Sequence, residues 1–112
     1  MKVTLLATAD FAIPTLHTLL EQGHEVCLGT QPARPAGRGR RLRPTPIATA
    51  AAELGLDAVE LDDVNNTEGL AWVTETQPDL LAVVAFGQKL GPAVCKSAPW
   101  GCVNVHPSLL PR

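Results

Sequence analysis

The 112-residue chain has no apolar run approaching the roughly 18 to 20 residues that a membrane-spanning helix requires. Its start, MKVTLLATADF, opens like a secretory leader, but Asp10 interrupts the apolar stretch and no small-residue cleavage pattern follows. It reads as the first strand of a cytoplasmic protein. Cysteine is scarce and odd in number. Cys27, Cys95 and Cys102 form no C-x-x-C pair, which argues for buried free thiols over a metal or redox centre. His17, His24 and His106 share no metal-ligand spacing. The phosphate-cradling pattern G-x-x-x-x-G-K-[ST] is missing, and so is the G-x-S-x-G serine elbow. AGRGRR has two glycines but does not join a first strand tightly to a helix, and ATADFA, which follows the first strand, has none. A nicotinamide, flavin or nucleotide cofactor is therefore excluded as an expectation.

Acidic residues are missing altogether between Val26 and Ala52, whereas Arg34, Arg38, Arg40, Arg41 and Arg43 crowd into ten positions there. The net charge of −2 thus divides into about +5 on this segment and about −7 on the rest. A basic loop on an acidic body points to a local anionic partner, not to a nucleic-acid-coating surface. Arginine forks suit phosphate, and a loop rich in proline and glycine can order on binding. The alternative is a solvated loop without a specific role.

What is present describes one globular domain: 46% of the residues are apolar and 18% are charged. Residues 2–8 read as a strand buried on both faces. Asp10 and Pro14 open a helix in which Ile13, Leu16, Leu19 and Leu20 form the apolar stripe, and Gly23 closes it. His24 to Gly29 is a second strand. Thr30 to Pro44, with three prolines and two glycines, is expected to hold no regular element. Thr45 and Pro46 cap and open a helix with Ile47, Ala51 and Leu54 on one face. Strands at 57–61, 79–86 and 102–105 alternate with helices at 67–76 and 92–96. This β-α alternation predicts an α/β fold with a parallel sheet and helices on both faces. Ligands of such sheets bind beyond the carboxyl ends of the strands, near the reversal of strand order. The positions to inspect are Thr8–Phe11, Thr30, Phe86–Gln88 and Asn104–His106.

Asn104 and His106 lie two residues apart at the end of an extended segment, so their side chains share one side. An amide donor and an imidazole that titrates near neutrality suit a carbonyl that becomes an oxyanion. The alternative is a strand-end cap beside an exposed histidine. Ser108 is too close to His106, across a proline, to form a Ser–His dyad.

The run Asn104-Val105-His106-Pro107-Ser108-Leu109-Leu110-Pro111 resembles the signature of the folate-dependent formyltransferases. ADFAIPTL resembles their first helix, and PDLLAVVAFGQKL their central strand and folate-side loop. QPARPAGRGRRLRPTPI resembles the long basic loop of the members that act on methionyl-tRNA. The likeness runs through all 112 residues. It implies a Rossmann-like sheet, cut after about its fifth strand. It also implies transfer of a formyl group from 10-formyltetrahydrofolate to the amino group of initiator methionyl-tRNA, with no metal and no nucleotide. Asn104 would bond the formyl oxygen and His106 would stabilise the oxyanion. Phe86, Gly87, Gln88, Leu90, Ser108, Leu109, Leu110 and Pro111 would shape the folate site. Arg34, Arg38, Arg40, Arg41 and Arg43 would hold the tRNA. Ala7 and Ala9 replace a glycine and a proline common in the family's first loop. The third catalytic residue of the family, an Asp, lies further on than Arg112. The chain is therefore expected to be the first part of a catalytic domain, monomeric when whole and inactive by itself. A sugar-nucleotide formyltransferase piece and a non-catalytic folate- or RNA-binding half-domain are the alternatives.

Overall fold

The computed structural model describes residues 1–36, Gly39 and residues 41–105. The strands of the main sheet are β1 (Lys2–Ala7), β2 (Glu25–Thr30), β5 (Ala58–Glu60), β6 (Leu80–Val84) and β7 (Cys102–Val105). Between them come α1 (Ile13–Glu21), α2 (Pro46–Glu53), α3 (Thr67–Glu75) and α4 (Pro92–Cys95). A two-stranded unit, β3 (Arg34–Ala36) and β4 (Arg41–Arg43), is inserted between β2 and α2.

The sheet runs in the order β5-β2-β1-β6-β7, and every pair in it is parallel. The chain builds outward from β1 through β2 to β5, then returns to the other side of β1 for β6 and β7. Strand order therefore reverses between β1 and β6, where a crevice opens at the carboxyl ends.

Two layers of core follow from the alternation of side chains along each strand. Leu5, Ala7, Val26, Leu28 and Val84 face one way, against Leu16 of α1 and Ile47 and Ala51 of α2. Leu6, Leu81 and Val83 face the other way, against Val73 of α3 and Val94 of α4. This burial on both faces explains why residues 2–7 show so little polar alternation. Gly29 is the point of closest approach. A Cβ there would lie 2.8 Å from Leu61 Cδ1 and 2.9 Å from both Leu6 Cδ2 and Trp72 Cζ3.

Local signals set the helix limits. Pro14 sits in the first turn of α1, Thr45 Oγ1 accepts from the Ala48 amide at the start of α2, and Asn66 Oδ1 accepts from Gly69 at the start of α3. Three expectations need correction. The proline- and glycine-rich segment does contain regular structure: Arg34 pairs with Arg43, Pro35 with Leu42 and Ala36 with Arg41, antiparallel. A two-stranded ribbon has only edge strands, so Pro35 removes no ladder bond that the fold needs. Leu54 does not join the stripe of α2, because the helix ends at Glu53 and Leu54 is 42% exposed; Leu56 packs on the core instead. The strand expected at 79–86 ends at Val84, because Ala85 takes a positive φ of 48°.

Candidate active site

A cavity of about 680 Å³ opens beside the carboxyl ends of β6 and β7. Its walls come from the segment after β6 (Ala85 to Leu90), from Cys95 of α4, and from Cys102 and Asn104 of β7. In the sheet register Val83 faces Asn104 and Leu81 faces Cys102, so both β7 residues lie on the α3/α4 side. Asn104 is exposed there, at the edge of the cavity.

The segment after β6 is built to hold one shape. Ala85 turns in the left-handed region, and its carbonyl accepts from the amides of Thr8 (3.1 Å) and Ala9 (3.2 Å). The Thr8 hydroxyl donates to the Phe86 carbonyl at 2.7 Å. The first βα turn is thereby bonded to the end of β6 across the switch point. Gly87 follows with φ +92°, a conformation that a side chain would strain, and a Cβ there would meet Gln31 Nε2 at 2.5 Å. Gln88 reaches into the β5–α3 loop: its Oε1 accepts from the Val64 amide (2.8 Å) and its Nε2 donates to the Leu61 carbonyl (2.9 Å). Asn65 fixes the far end, donating to the Lys89 carbonyl (2.7 Å) and accepting from the Gly91 amide (2.6 Å).

Of the expected donor-site residues, the fold brings Phe86, Gly87, Gln88, Leu90 and Asn104 to this one cavity. They do different things there. Phe86 is 2% exposed and packed in the α3/α4 core, so it supplies a rigid apolar wall. The carboxamide of Gln88 is engaged by backbone groups and shapes the loop. His106, Ser108, Leu109, Leu110 and Pro111, like Arg38 and Arg40, lie outside the described residues. Sequence reasoning singled out the strand end at Thr8 but missed Gln31 and Asn65, which also tie the loops together. Asn65 carries no local signal, since its partners are about 25 positions away and only the fold brings them near.

Cys95 and Cys102 were expected as unrelated buried thiols. Both are half-buried and share the cavity wall. Burial pushes the Cys102 thiol up to about 11, and the charge of Cys95 and a hydrogen bond with it add to the shift.

A second cavity, of about 400 Å³, lies beyond the ends of β1 and β2. Arg34 and Arg43 line it together with Thr8, Gln31 and Thr45. The two arginines are directly paired across the hairpin and both are exposed. Arg41 is exposed on β4. Like charges placed opposite each other oppose pairing, and an anion between them removes that penalty. Among the described residues, no group of three or more His, Cys, Asp or Glu is placed to hold a metal ion. Among them, too, no helix is long and apolar enough to cross a membrane.

The sequence and the fold of this chain have known counterparts. The family model described as formyl transferase matches residues 1–112. The chain belongs to the formyl transferase family. Within it, the methionyl-tRNA formyltransferase of Halothermothrix orenii is 42% identical over 114 residues, covering 100% of this chain and 36% of that protein. The one from Geobacter metallireducens is 42% identical over 113 residues with the same coverage, and that of Methylococcus capsulatus is 42% identical over 113 residues, with 37% of its length covered. The chain thus spans little more than a third of the length of these curated relatives. A solved phosphoribosylglycinamide formyltransferase from Bacillus halodurans superposes with a TM-score of 0.67 at 20% identity, over 99% of this chain and 58% of that one. That likeness shows the shared fold of the formyl transferases.

Proposed function

We propose that this chain provides the formyl-donor side of a site that transfers a formyl group from 10-formyltetrahydrofolate to the amino group of initiator methionyl-tRNA. The observation that carries the reading is the position of Asn104, on a strand end beside the cavity walled by Ala85 to Leu90. A flat heterocycle fits against apolar walls of this kind, with backbone groups of the bent loop to orient it.

The amine of the methionyl group attacks the formyl carbon on N10. The carbonyl oxygen takes up negative charge as a tetrahedral intermediate forms. The Asn104 amide donates a hydrogen bond to that oxygen, and His106 stabilises it as a cation or proton donor. Collapse breaks the carbon–N10 bond, N10 receives the proton lost by the amine, and N-formylmethionyl-tRNA and tetrahydrofolate separate. Leu90 lines the donor cavity, and Ser108, Leu109, Leu110 and Pro111 contribute to the folate site. Arg34, Arg41 and Arg43, with Arg38 and Arg40, hold RNA phosphates from the hairpin. The 42% identity to methionyl-tRNA formyltransferases supports tRNA as the acceptor.

The test compares binding of a stable N10-formyl folate analogue with binding of its deformylated counterpart. Asn104→Ala is expected to weaken the first about three- to tenfold, the worth of one hydrogen bond, and to leave the second unchanged. Equal loss for both ligands, or no saturable binding by the wild-type chain, would overturn the reading.

A further inference from the structure

Gln31 is the first residue after β2, and it stands between the two cavities. It lines the second one with Arg34, and its side chain lies against Gly87 in the wall of the first. A Cβ on Gly87 would come within 2.5 Å of Gln31 Nε2. The two cavities share no lining residue, so any link between them runs through contacts of this kind.

Two donors meet at Gln31 Oε1. Arg34 Nη2 approaches it from the hairpin at 3.4 Å, and Gln88 Nε2 approaches it from the loop after β6, also at 3.4 Å. Both contacts are longer than the roughly 2.7–3.2 Å usual for N–H···O bonds, so the carboxamide is shared between hairpin and loop and held firmly by neither. The two donors differ in freedom. Gln88 is fixed by the Val64 amide and the Leu61 carbonyl, at 2.8 and 2.9 Å. Arg34 is exposed on a two-stranded ribbon. The backbone adds a second link to the same loop. The Gln31 amide donates to Thr8 Oγ1 at 3.4 Å, and that hydroxyl donates to the Phe86 carbonyl at 2.7 Å.

We propose that Gln31 is a positioning residue that couples the arginine hairpin to the donor loop, so that RNA phosphate on the hairpin and formyl folate beside Asn104 favour each other's binding. The two ligands are those of the reading above, on which this coupling rests. A phosphate oxygen is an ionised acceptor, so it draws Arg34 away from the neutral Gln31 carboxamide. Oε1 is then left to Gln88, and the carboxamide settles on the Gly87–Gln88 wall. Less ordering of that wall remains for the folate to impose, so the folate binds more tightly. By linkage, folate raises the affinity for phosphate by the same factor.

The experiment titrates the purified chain with the N10-formyl folate analogue, with and without a saturating blunt RNA duplex. Such a duplex has no single-stranded end to reach the donor cavity. The duplex is expected to raise the folate affinity about two- to tenfold, the worth of one hydrogen bond, and the folate to raise the duplex affinity equally. Gln31→Met keeps the length of the side chain and removes the shared acceptor, so the coupling factor should fall to about 1, whatever happens to either affinity alone. Arg34→Ala should give the free chain the folate affinity that wild type reaches only with RNA. No coupling in wild type, coupling of the opposite sign, coupling that survives Gln31→Met, or a folate affinity unmoved by Arg34→Ala would each overturn the proposal while leaving the site reading intact. A wild-type chain that fails to bind the folate or the duplex at all overturns the site reading, and the coupling with it.

Discussion

The hydroxyls of Thr30 and Thr45 lie 2.7 Å apart, and both residues are buried. One ends β2 and the other caps α2, so a single polar contact closes the whole excursion of the arginine hairpin. Thr45 Oγ1 also accepts from the Ala48 amide at 3.3 Å. Replacing Thr45 by Ala removes a helix cap and leaves Thr30 buried without its partner. The expected loss is about 1–3 kcal/mol in denaturant unfolding. A midpoint unchanged from wild type would show that the hairpin is anchored elsewhere.

Gly87→Ala probes the loop that walls the cavity beside Asn104. Gly55 serves as its control, with a similar positive φ of 80° and open space around it. Gly55→Ala is expected to cost about 1–2 kcal/mol, the backbone term alone. Gly87→Ala adds displacement of Gln31, so it should cost more and also weaken folate binding. Equal costs for the two variants would mean that Gln31 yields freely.

The thiol of Cys102 has its own pH signature. With its ionisation raised from 9.0 to about 11, the native state holds a proton that the unfolded chain releases. Stability from this group is therefore present below pH 9 and is lost as pH rises toward 11. Alkylation of Cys102 should accelerate over the same range. Cys95→Ser removes two of the three causes of the shift, so the profile should move to lower pH. An unmoved profile would assign the whole effect to burial.

Arg34 and Arg43 face each other across the ribbon, and both are exposed. Replacing either by Ala should weaken tRNA binding and reduce the slope of log affinity against log salt by about 1. The fold of the main sheet should be untouched, as read by far-UV circular dichroism. Binding that ignores both salt and these substitutions would remove RNA from the hairpin.

Gly29→Ala tests the tightest contact of the sheet. The added methyl must push back Leu6, Leu61 and Trp72 together. A loss of about 1–3 kcal/mol is expected from overpacking. A neutral result in thermal unfolding would show that Trp72, only half-buried, swings aside.

Much of this molecule was written locally. The apolar runs of β1 and β6, Pro14 and Thr45 at helix starts, and the strand at 102–105 follow from periodicity and capping, which act over a few residues. So does the side that Asn104 presents, since alternation along a strand needs no partner. The resemblance to formyltransferases rested on equally local strings, and the family match agrees with it. Other features depended on distant partners. The ribbon β3–β4 exists because two strands that each look irregular satisfy one another, and a proline on an edge costs no bond. Asn65, Gln88 and Thr8 hold the loop after β6 through residues 24 to 78 positions away. Cys95 and Cys102 share a wall because the fold brings the end of α4 and the start of β7 to one cavity. The sequence by itself determined which segments form strands and helices and which faces they bury, because those choices are made by local sterics and hydrophobic pattern. The tertiary structure decided which loops meet and which side chains line one cavity, because hydrogen bonds act over a few ångströms in space, whatever the distance along the chain.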